Sequence, residues 1–589
     1  MRDAMGAVKN MWARGREYVA ALLAGAFGVF WFIQSHGDRA LNPQKVDWLM
    51  EGDWSTHLVG WLFFRNESLR FPLGAVPSLA HPLGTTVGFT DSTPLVSLLL
   101  RPFAGVLPFP FQYVGLWLAL CFFLQGFLGS RLTALFTPHR LAQLLGGILF
   151  ALAPVLVSRM GHESLCAHWL VLGLLWVNLR DWPDAAATRR ALAVTFLLVG
   201  LSATIHPYLS AMAVVLGAAA LVRLRLVDRT LSWLGLGLGL GGLVALLLAL
   251  FWLFGYLGTG TPSGIEGFGH VSADMLTLIN PLDWSRLLPT LPIAARVQGE
   301  GFGYLGAGVL LLLGVGVGSA LLVWRRWRSD WTPQWKRVVP LVVCCLLLAV
   351  YAFSSRVTFM GRLVLDLQAL YQPVLRLVEP FRSSGRFIWP LHYALLTGAI
   401  VLVLGVWRRR PWVGMGLLAL AVGVQVFDLS LAVRRERFQP LSWNGLRSPD
   451  WRRMKDDYRH LVLFPPQLHD GNGRGCPYPG RGAPFSPMFA YHAASLGMTF
   501  NSAYLARVDP AAAQAYCTAL QQEAERGEFQ PDTVYVVHPA HLALFLRHPE
   551  RMVCGRLDGH AVCVSSGKES AFRRVLESRR LQAAPLASP

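Results

Sequence analysis

The chain is short of charge: of its 589 residues, only 15% are Asp, Glu, Lys or Arg. Soluble domains average about a quarter, so a wholly soluble protein is excluded. Acidic residues are scarcest, 34 against 53 Lys and Arg, which leaves a net charge of +19. Such an excess would suit a nucleic-acid binder, but the basic residues sit mostly in short loops between apolar runs. That distribution is an orientation signal of membrane proteins and removes nucleic acid from the partners. The sequence has no Walker A run, no GxGxxG after a strand and no HExxH, so nothing points to nucleotide hydrolysis or a zinc protease. It also lacks CxxC spacing for a structural zinc, internal repeats and low-complexity linkers. No small-x-small cleavage site closely follows the first apolar core, Leu22–Ile33, so that core reads as an uncleaved span. The glycine-rich GLGLGLGG (Gly235–Gly242) lies inside an apolar run, where it lets helices approach closely.

What the chain has is apolar length: 53% of it is hydrophobic. Runs near 18–34, 112–130, 141–157, 166–179, 191–205, 208–222, 231–257, 304–324, 338–354, 389–406 and 412–432 match bilayer thickness and predict about eleven spans. Residues 1–17 carry Arg2, Lys9, Arg14 and Arg16 and are expected in the cytoplasm. Arg131/Arg140, Arg180/Arg189/Arg190, Arg223/Arg225/Arg229, Arg325/Arg326/Arg328/Lys336/Arg337 and Arg408/Arg409/Arg410 then fall on that same side. An odd count sends 433–589 to the opposite side. The expected layout is a transmembrane domain over 1–432, with a long first outside loop at 35–111, and a periplasmic domain over 433–589.

Histidines and acids gather in the opposite-side loops: His57, His162, His168, His206 and His270 with Asp53, Asp91, Glu163, Glu266 and Glu300. Ionisable groups near membrane depth are costly unless they face a cavity, so a cavity open to that face is expected. Its plainer alternative is a set of ordinary interfacial loops. In the first loop, EGDWSTHLVGWLFFR (Glu51–Arg65) places Asp53 and His57 four residues apart, on one face if helical. An interfacial helix with an acidic cap explains the same residues more simply. The 355–388 loop breaks the charge rule with Arg356, Arg362, Arg376, Arg382 and Arg386. Within it, FRSSGRF (Phe381–Phe387) sets Arg382 and Arg386 beside Ser383 and Ser384. Guanidinium forks bind phosphate bidentately; Glu379 or anionic headgroups are the plainer partners.

The C-terminal region changes character. HLVLFPP (His460–Pro466) and TVYVVHP (Thr533–Pro539) read as buried strands, and Asp509–Arg526 as a helix, which predicts a small α/β domain. Cys476, Cys517, Cys554 and Cys563 lie here, and an even set in an exported domain suggests disulfides. Cys554 and Cys563 flank an Asp-Gly hairpin signal, so that pair is expected to close a hairpin, with Cys476–Cys517 as the second bridge.

GDWSTHLVGWLFFR, GTTVGFTDSTPL, FQYVGLWLALCFFLQG, RMGHESLCAHW, NPLDWSRLLP and GEGFGYLGAG together resemble the bacterial DUF6311 family over roughly 45–430. That family is similar to the GT-C superfamily of integral-membrane glycosyltransferases. The resemblance implies a polytopic α-helical GT-C-like fold in the bacterial inner membrane. It implies a polyprenyl-phosphate-linked sugar as donor and a cell-envelope glycan, lipid or protein as acceptor. By the same likeness Asp53 is the general base, with His57 orienting Asp53 or the acceptor. Arg382, Arg386 and Ser384 hold the donor phosphate, and Asp91, His162, Glu163, His168, His206 and Glu300 line the sugar and acceptor pocket. A divalent metal is compatible with the likeness but not required by the sequence. The competing readings are a transporter or flippase of a lipid-linked glycan and a non-catalytic envelope protein. Transport predicts inverted repeats, and none is visible.

Overall fold

The computed structural model describes residues 2–257, 268–322, 335–435, 443–470, 476 and 486–581. Glu266, Arg325, Arg326 and Arg328 lie outside them. The chain forms two compact units that cut across its order. The first contains Met1–Leu41, Gly115–Leu250 and Pro262–Phe438; the second contains Asn42–Val114, Phe251–Thr261 and Gln439–Pro589.

The first unit is helical. Its apolar helices are α1 Arg2–His36, α2 Val114–Thr133, α3 Arg140–Ala151, α4 Trp169–Leu179, α5 Ala185–Ala203, α6 Pro207–Leu226, α7 Trp233–Leu253, α8 Ala307–Leu322, α9 Trp335–Phe353, α10 Trp389–Val406 and α11 Pro411–Arg435. Among the described residues, eight helices are long and apolar enough to cross a membrane, the first within α1. The helices α3, α4 and α8 are shorter. This fits a multi-pass membrane protein.

Lipid tails give helices no hydrophobic reason to associate, so small residues and polar ties hold such bundles together. A Cβ on Gly28 of α1 would overlap the Phe122 carbonyl of α2, and one on Gly126 would overlap the Ala24 carbonyl. These glycines therefore set the distance between α1 and α2. The N-terminus of α8 is tied to α11: Gln425 Oε1 accepts from the Gly308 and Val309 amides at 3.0 and 3.3 Å. Asp428 Oδ2 accepts from the Ala307 amide at 3.0 Å and from the Tyr304 hydroxyl at 2.8 Å. A carboxylate suits a helix N-terminus because the unpaired amides there carry partial positive charge.

The loops expected on the N-terminal side meet one another. Buried Arg223 donates to the carbonyls of Asn178 and Arg180 and pairs with Asp228 at 3.0 Å. Arg337 joins the same Asp228 at 3.1 Å and also reaches Asp181.

The second unit is built on a five-stranded sheet. Its strands are β1 His460–Phe464, β2 Thr499–Phe500, β3 Thr533–Val537, β4 Met552–Leu557 and β5 His560–Ser565, in the order β4-β5-β3-β1-β2. β1 runs parallel to β2 and β3, while β5 is antiparallel to β3 and β4. β3 is buried throughout its length, which matches its unbroken apolar run. Asp558 and Gly559 make the β4–β5 turn, both with positive φ, as the primed hairpin turns require. The structure joins Cys554 to Cys563 across that hairpin, Cα atoms 4.1 Å apart, and Cys476 to Cys517, Cα atoms 5.8 Å apart. Helix Pro510–Arg526 begins at Asp509, whose Oδ1 accepts from the Ala511 and Ala512 amides, and ends at left-handed Gly527.

The long first loop packs with this sheet. The Phe500 amide donates to Ser78 O at 2.8 Å and the His81 amide to Phe500 O at 2.9 Å. Residues 78–81 thus cover the β2 edge, which would otherwise offer unpaired backbone groups. The Ala506 amide reaches Phe89 O at 2.8 Å, and Asn66 Nδ2 reaches Ala494 O at 3.1 Å.

Candidate functional site

Two constellations hold the residues singled out in the sequence, one in each unit. In the second unit, Asp53 opens the helix Asp53–Phe64, directly after Gly52. Gly52 has φ +57° and ψ −146°, a conformation essentially reserved for glycine, so the chain can turn sharply into the helix there. Asp53 is half-buried and His57 fully buried. His57 Nδ1 lies 3.0 Å from the Asp91 carbonyl oxygen. A carbonyl only accepts, so Nδ1 carries the proton and Nε2 is the basic nitrogen of the neutral ring.

Asp91 has positive φ, which turns its carbonyl toward the helix. The neighbouring residues fasten the same contact: Ser92 Oγ donates to His57 O at 2.6 Å and lies 2.9 Å from Thr90 Oγ1. A Cβ on Gly60 would overlap both hydroxyls. The GDWSTHLVGW and GTTVGFTDST runs therefore pack as one piece. Trp54 meets His57 edge-on at 6.2 Å and Trp48 at 5.4 Å. Tyr256 stands edge-on to Phe89 at 5.8 Å; burial and the Asp91 charge push its hydroxyl well above the usual tyrosine range. The closing Arg65 donates to the carbonyls of Ala104, Leu107 and Pro108 at 2.8–2.9 Å. It holds the loop rather than a ligand.

In the first unit the expected arginine site has a different composition. Glu300 Oε2 accepts from Arg159 Nη1 at 2.6 Å and from Arg386 Nε and Nη2 at 3.0 and 2.7 Å. Arg159 Nη2 also reaches Gly299 O at 3.2 Å. Both arginine side chains are nearly buried, 8% and 9% exposed, while Glu300 keeps 31%. Burial raises the Glu300 carboxyl, but Arg386, Arg159 and His162 outweigh it and hold the group well below the usual carboxylate range. Two guanidinium groups thus share one carboxylate.

Backbone contact builds this cluster. A Cβ on Gly385 would stand 2.6 Å from the Gly301 Cα, and one on Gly301 would stand 2.6 Å from the Ala273 Cα. Two glycines thus bring the residues next to them, Arg386 and Glu300, into range. The Arg386 guanidinium sits 4.8 Å from the centre of the Tyr208 ring, a favourable cation–π distance. The Tyr208 hydroxyl accepts from the Ser383 amide at 2.9 Å. Phe381 and Phe387 flank that ring at 5.2 and 5.9 Å.

The remaining expected residues divide. Arg382 is half-buried, and Ser384 is fully buried with no hydrogen-bond partner for its hydroxyl among the described residues. His162 is half-buried and acts electrostatically on Glu300. Glu163 and His168 have no exposed surface, so they belong to the packed interior rather than to an open pocket. His168 Nδ1 lies 2.7 Å from the Tyr393 hydroxyl, with its ring over Trp389 at 4.3 Å. His206 caps α6, its Nδ1 accepting from the Tyr208 amide at 3.2 Å. Sequence reasoning gave no role to Arg159, although RMGHESLCAHW contains it, nor to Tyr208. Among the described residues, no group of three or more His, Cys, Asp or Glu side chains gathers as a metal site would need.

Fold and sites together define a multi-pass membrane protein with an α/β unit and two polar constellations in its loops. Residues 25–430 match the family model described as a domain of unknown function, DUF6311, and residues 450–565 match the DUF6311 C-terminal domain. The chain belongs to the DUF6311 family. No curated protein matches it.

Proposed function

We propose that this chain is an integral-membrane glycosyltransferase of the GT-C kind. It moves a sugar from a polyprenyl phosphate to an acceptor hydroxyl at the periplasmic face of the inner membrane. The observation that carries the reading is the convergence of two loop runs on His57 and Asp91, one helical turn after Asp53. A half-exposed carboxylate opens a helix there, beside an imidazole of fixed orientation. That is the equipment of a general base and its positioning partner.

Topology supports this reading. A folded unit stands on one side of a membrane, so its three segments are separated by even numbers of crossings. The helices α2–α7 lie between the first and second segments, and α8–α11 between the second and third. Parity holds when short α8 crosses and fails when it does not. With α1 the count is nine, or eleven where the short helices α3 and α4 both cross as well. The arginine-rich loops then share the other side with the N-terminus, which the positive-inside rule assigns to the cytoplasm. The second unit is left in the periplasm.

Asp53 takes the proton of the acceptor hydroxyl. The freed oxygen bonds to the anomeric carbon as the bond from that carbon to the phosphate oxygen breaks, and the electron pair leaves with the polyprenyl phosphate. Within the first unit, Arg386, Arg382 and Arg159 are the groups suited to hold a phosphate. Glu300, ionised at all working pH, fixes the guanidinium groups and is not itself the base. Asp53→Asn keeps the shape and removes the proton acceptor. Transfer by the reconstituted protein should fall by about a hundred- to ten-thousandfold, with the fold and donor binding retained. Unchanged transfer in Asp53→Asn would remove Asp53 as the base, and undiminished movement of lipid-linked glycan across the bilayer in that variant would favour a transporter.

A further inference from the structure

The segment between α9 and α10 exposes more apolar surface than water tolerates. It begins with a hairpin, Arg356–Phe359 paired with Arg362–Asp366. The inner strand is stitched to the body: Thr358 O accepts from the Met275 amide at 3.0 Å, and Thr358 Oγ1 donates to Asp274 at 3.0 Å. The outer strand is exposed at every residue. Leu363, Val364 and Leu365 show about half their surface, and Leu370, Val374 and Leu377 beyond them reach 70%, 41% and 76%. Arg362 and Arg376 are exposed in the same stretch.

Three media are available to this surface, and two fail. In water, contiguous apolar area of this kind is a liability and marks an interaction site. In the hydrocarbon core, the outer strand, paired on one side only, would leave backbone N–H and C=O groups without partners at several kcal/mol each. The headgroup region meets both demands: it solvates the strand edge, takes up the leucines and valine, and provides phosphates for arginines. The flanking elements point there too, since α9 and α10 are both among the helices able to cross a membrane. We infer that residues 362–377 lie on the surface of the bilayer that the protein spans. Their apolar side chains enter the acyl boundary, and Arg362 and Arg376 sit on anionic lipid phosphates. The inference does not depend on the glycosyltransferase reading.

Spin labels on Val364→Cys and, separately, Leu377→Cys test it in the full chain reconstituted into vesicles. Half-buried Cys344 is replaced by Ala; Cys121, Cys166 and Cys345 are buried. Collision with oxygen, which concentrates in lipid, should exceed collision with a water-soluble nickel chelate at both positions. Gln522→Cys, exposed in the second unit, should show the reverse. Adding phosphatidylglycerol to phosphatidylcholine vesicles should raise the oxygen preference, and Arg362→Gln with Arg376→Gln should abolish that rise. Nickel dominating at both positions would overturn the inference. So would immobilised labels shielded from both reagents, the result expected if protein covers the segment. An oxygen preference indifferent to lipid charge would overturn the role given to the two arginines.

Discussion

Glu300 decides how the arginine cluster is understood. FRSSGRF advertises two guanidinium groups for a phosphate, yet Arg386 spends two of its donors on a carboxylate 86 positions earlier in the chain. Arg159, which shares that carboxylate, lies 141 positions before it. Neither spacing leaves a local signature, so sequence reading finds the arginines and misses what they hold. The same applies to Tyr208, whose ring supports Arg386 although its neighbour His206 drew the attention. If the proposed glycosyltransferase function holds, Arg386→Ala should weaken use of a polyprenyl-phosphate donor by about 2–4 kcal/mol in transition-state terms. Arg386→Lys should recover part of this, because the charge returns without the fork. Normal transfer by both variants would place the phosphate elsewhere. Glu300→Gln leaves two nearly buried cations with a neutral partner. Breaking a buried pair in this way costs about 3–5 kcal/mol, and the partial exposure of Glu300 puts the expected loss at or below the lower end. A thermal melt of the detergent-solubilised variant checks it, and an unchanged midpoint would mean that the pair is held by solvent rather than by Glu300.

At the scale of elements, the sequence speaks clearly wherever the signal is local. Asp509 and Gly527 mark the ends of the Pro510–Arg526 helix, and Asp558-Gly559 marks a turn. Asp509→Ala should cost about 1 kcal/mol of stability, read as a shift of the denaturant midpoint of the second unit. What the sequence does not announce is how the first loop attaches to the sheet. His81 stacks on His460 with ring centres 5.1 Å apart, joining two stretches that look unrelated along the chain. Burial lowers the His460 imidazole below its ordinary range, and His81 adds to the effect. A depressed histidine leaves the folded form binding fewer protons than the unfolded one. Its contribution is therefore complete above the unfolded value of about 6.5. It is lost as pH falls from there toward the folded value. The protein should melt at lower temperature at pH 5.5 than at pH 7.5, and His460→Gln should make that dependence shallower. An equal or steeper dependence in His460→Gln would assign the acid sensitivity to other groups.

For the whole molecule, composition was enough to identify a polytopic membrane protein with a small α/β domain, because apolar length and loop charge accumulate over hundreds of residues. Composition could not say that a loop near the N-terminus builds the same unit as the C-terminal region. Hydrogen bonds such as Phe500 to Ser78 connect segments with no common pattern. That assembly makes a strict demand: residues 42–114, 251–261 and 439–589 must all face one compartment, whatever the number of helices between them. Single cysteines at Val106, Leu257 and Glu569, all exposed, should react together with a membrane-impermeant maleimide added to intact spheroplasts. Cysteines at Arg229 and Arg409 should react only after the membrane is opened, since their loops belong to the basic side. If Val106→Cys and Glu569→Cys reacted from opposite sides, the second unit would not exist as a folded body. If all three reacted only after opening, the unit would survive but would be cytoplasmic. A polyprenyl-phosphate donor presented in the periplasm would then be out of reach of Asp53.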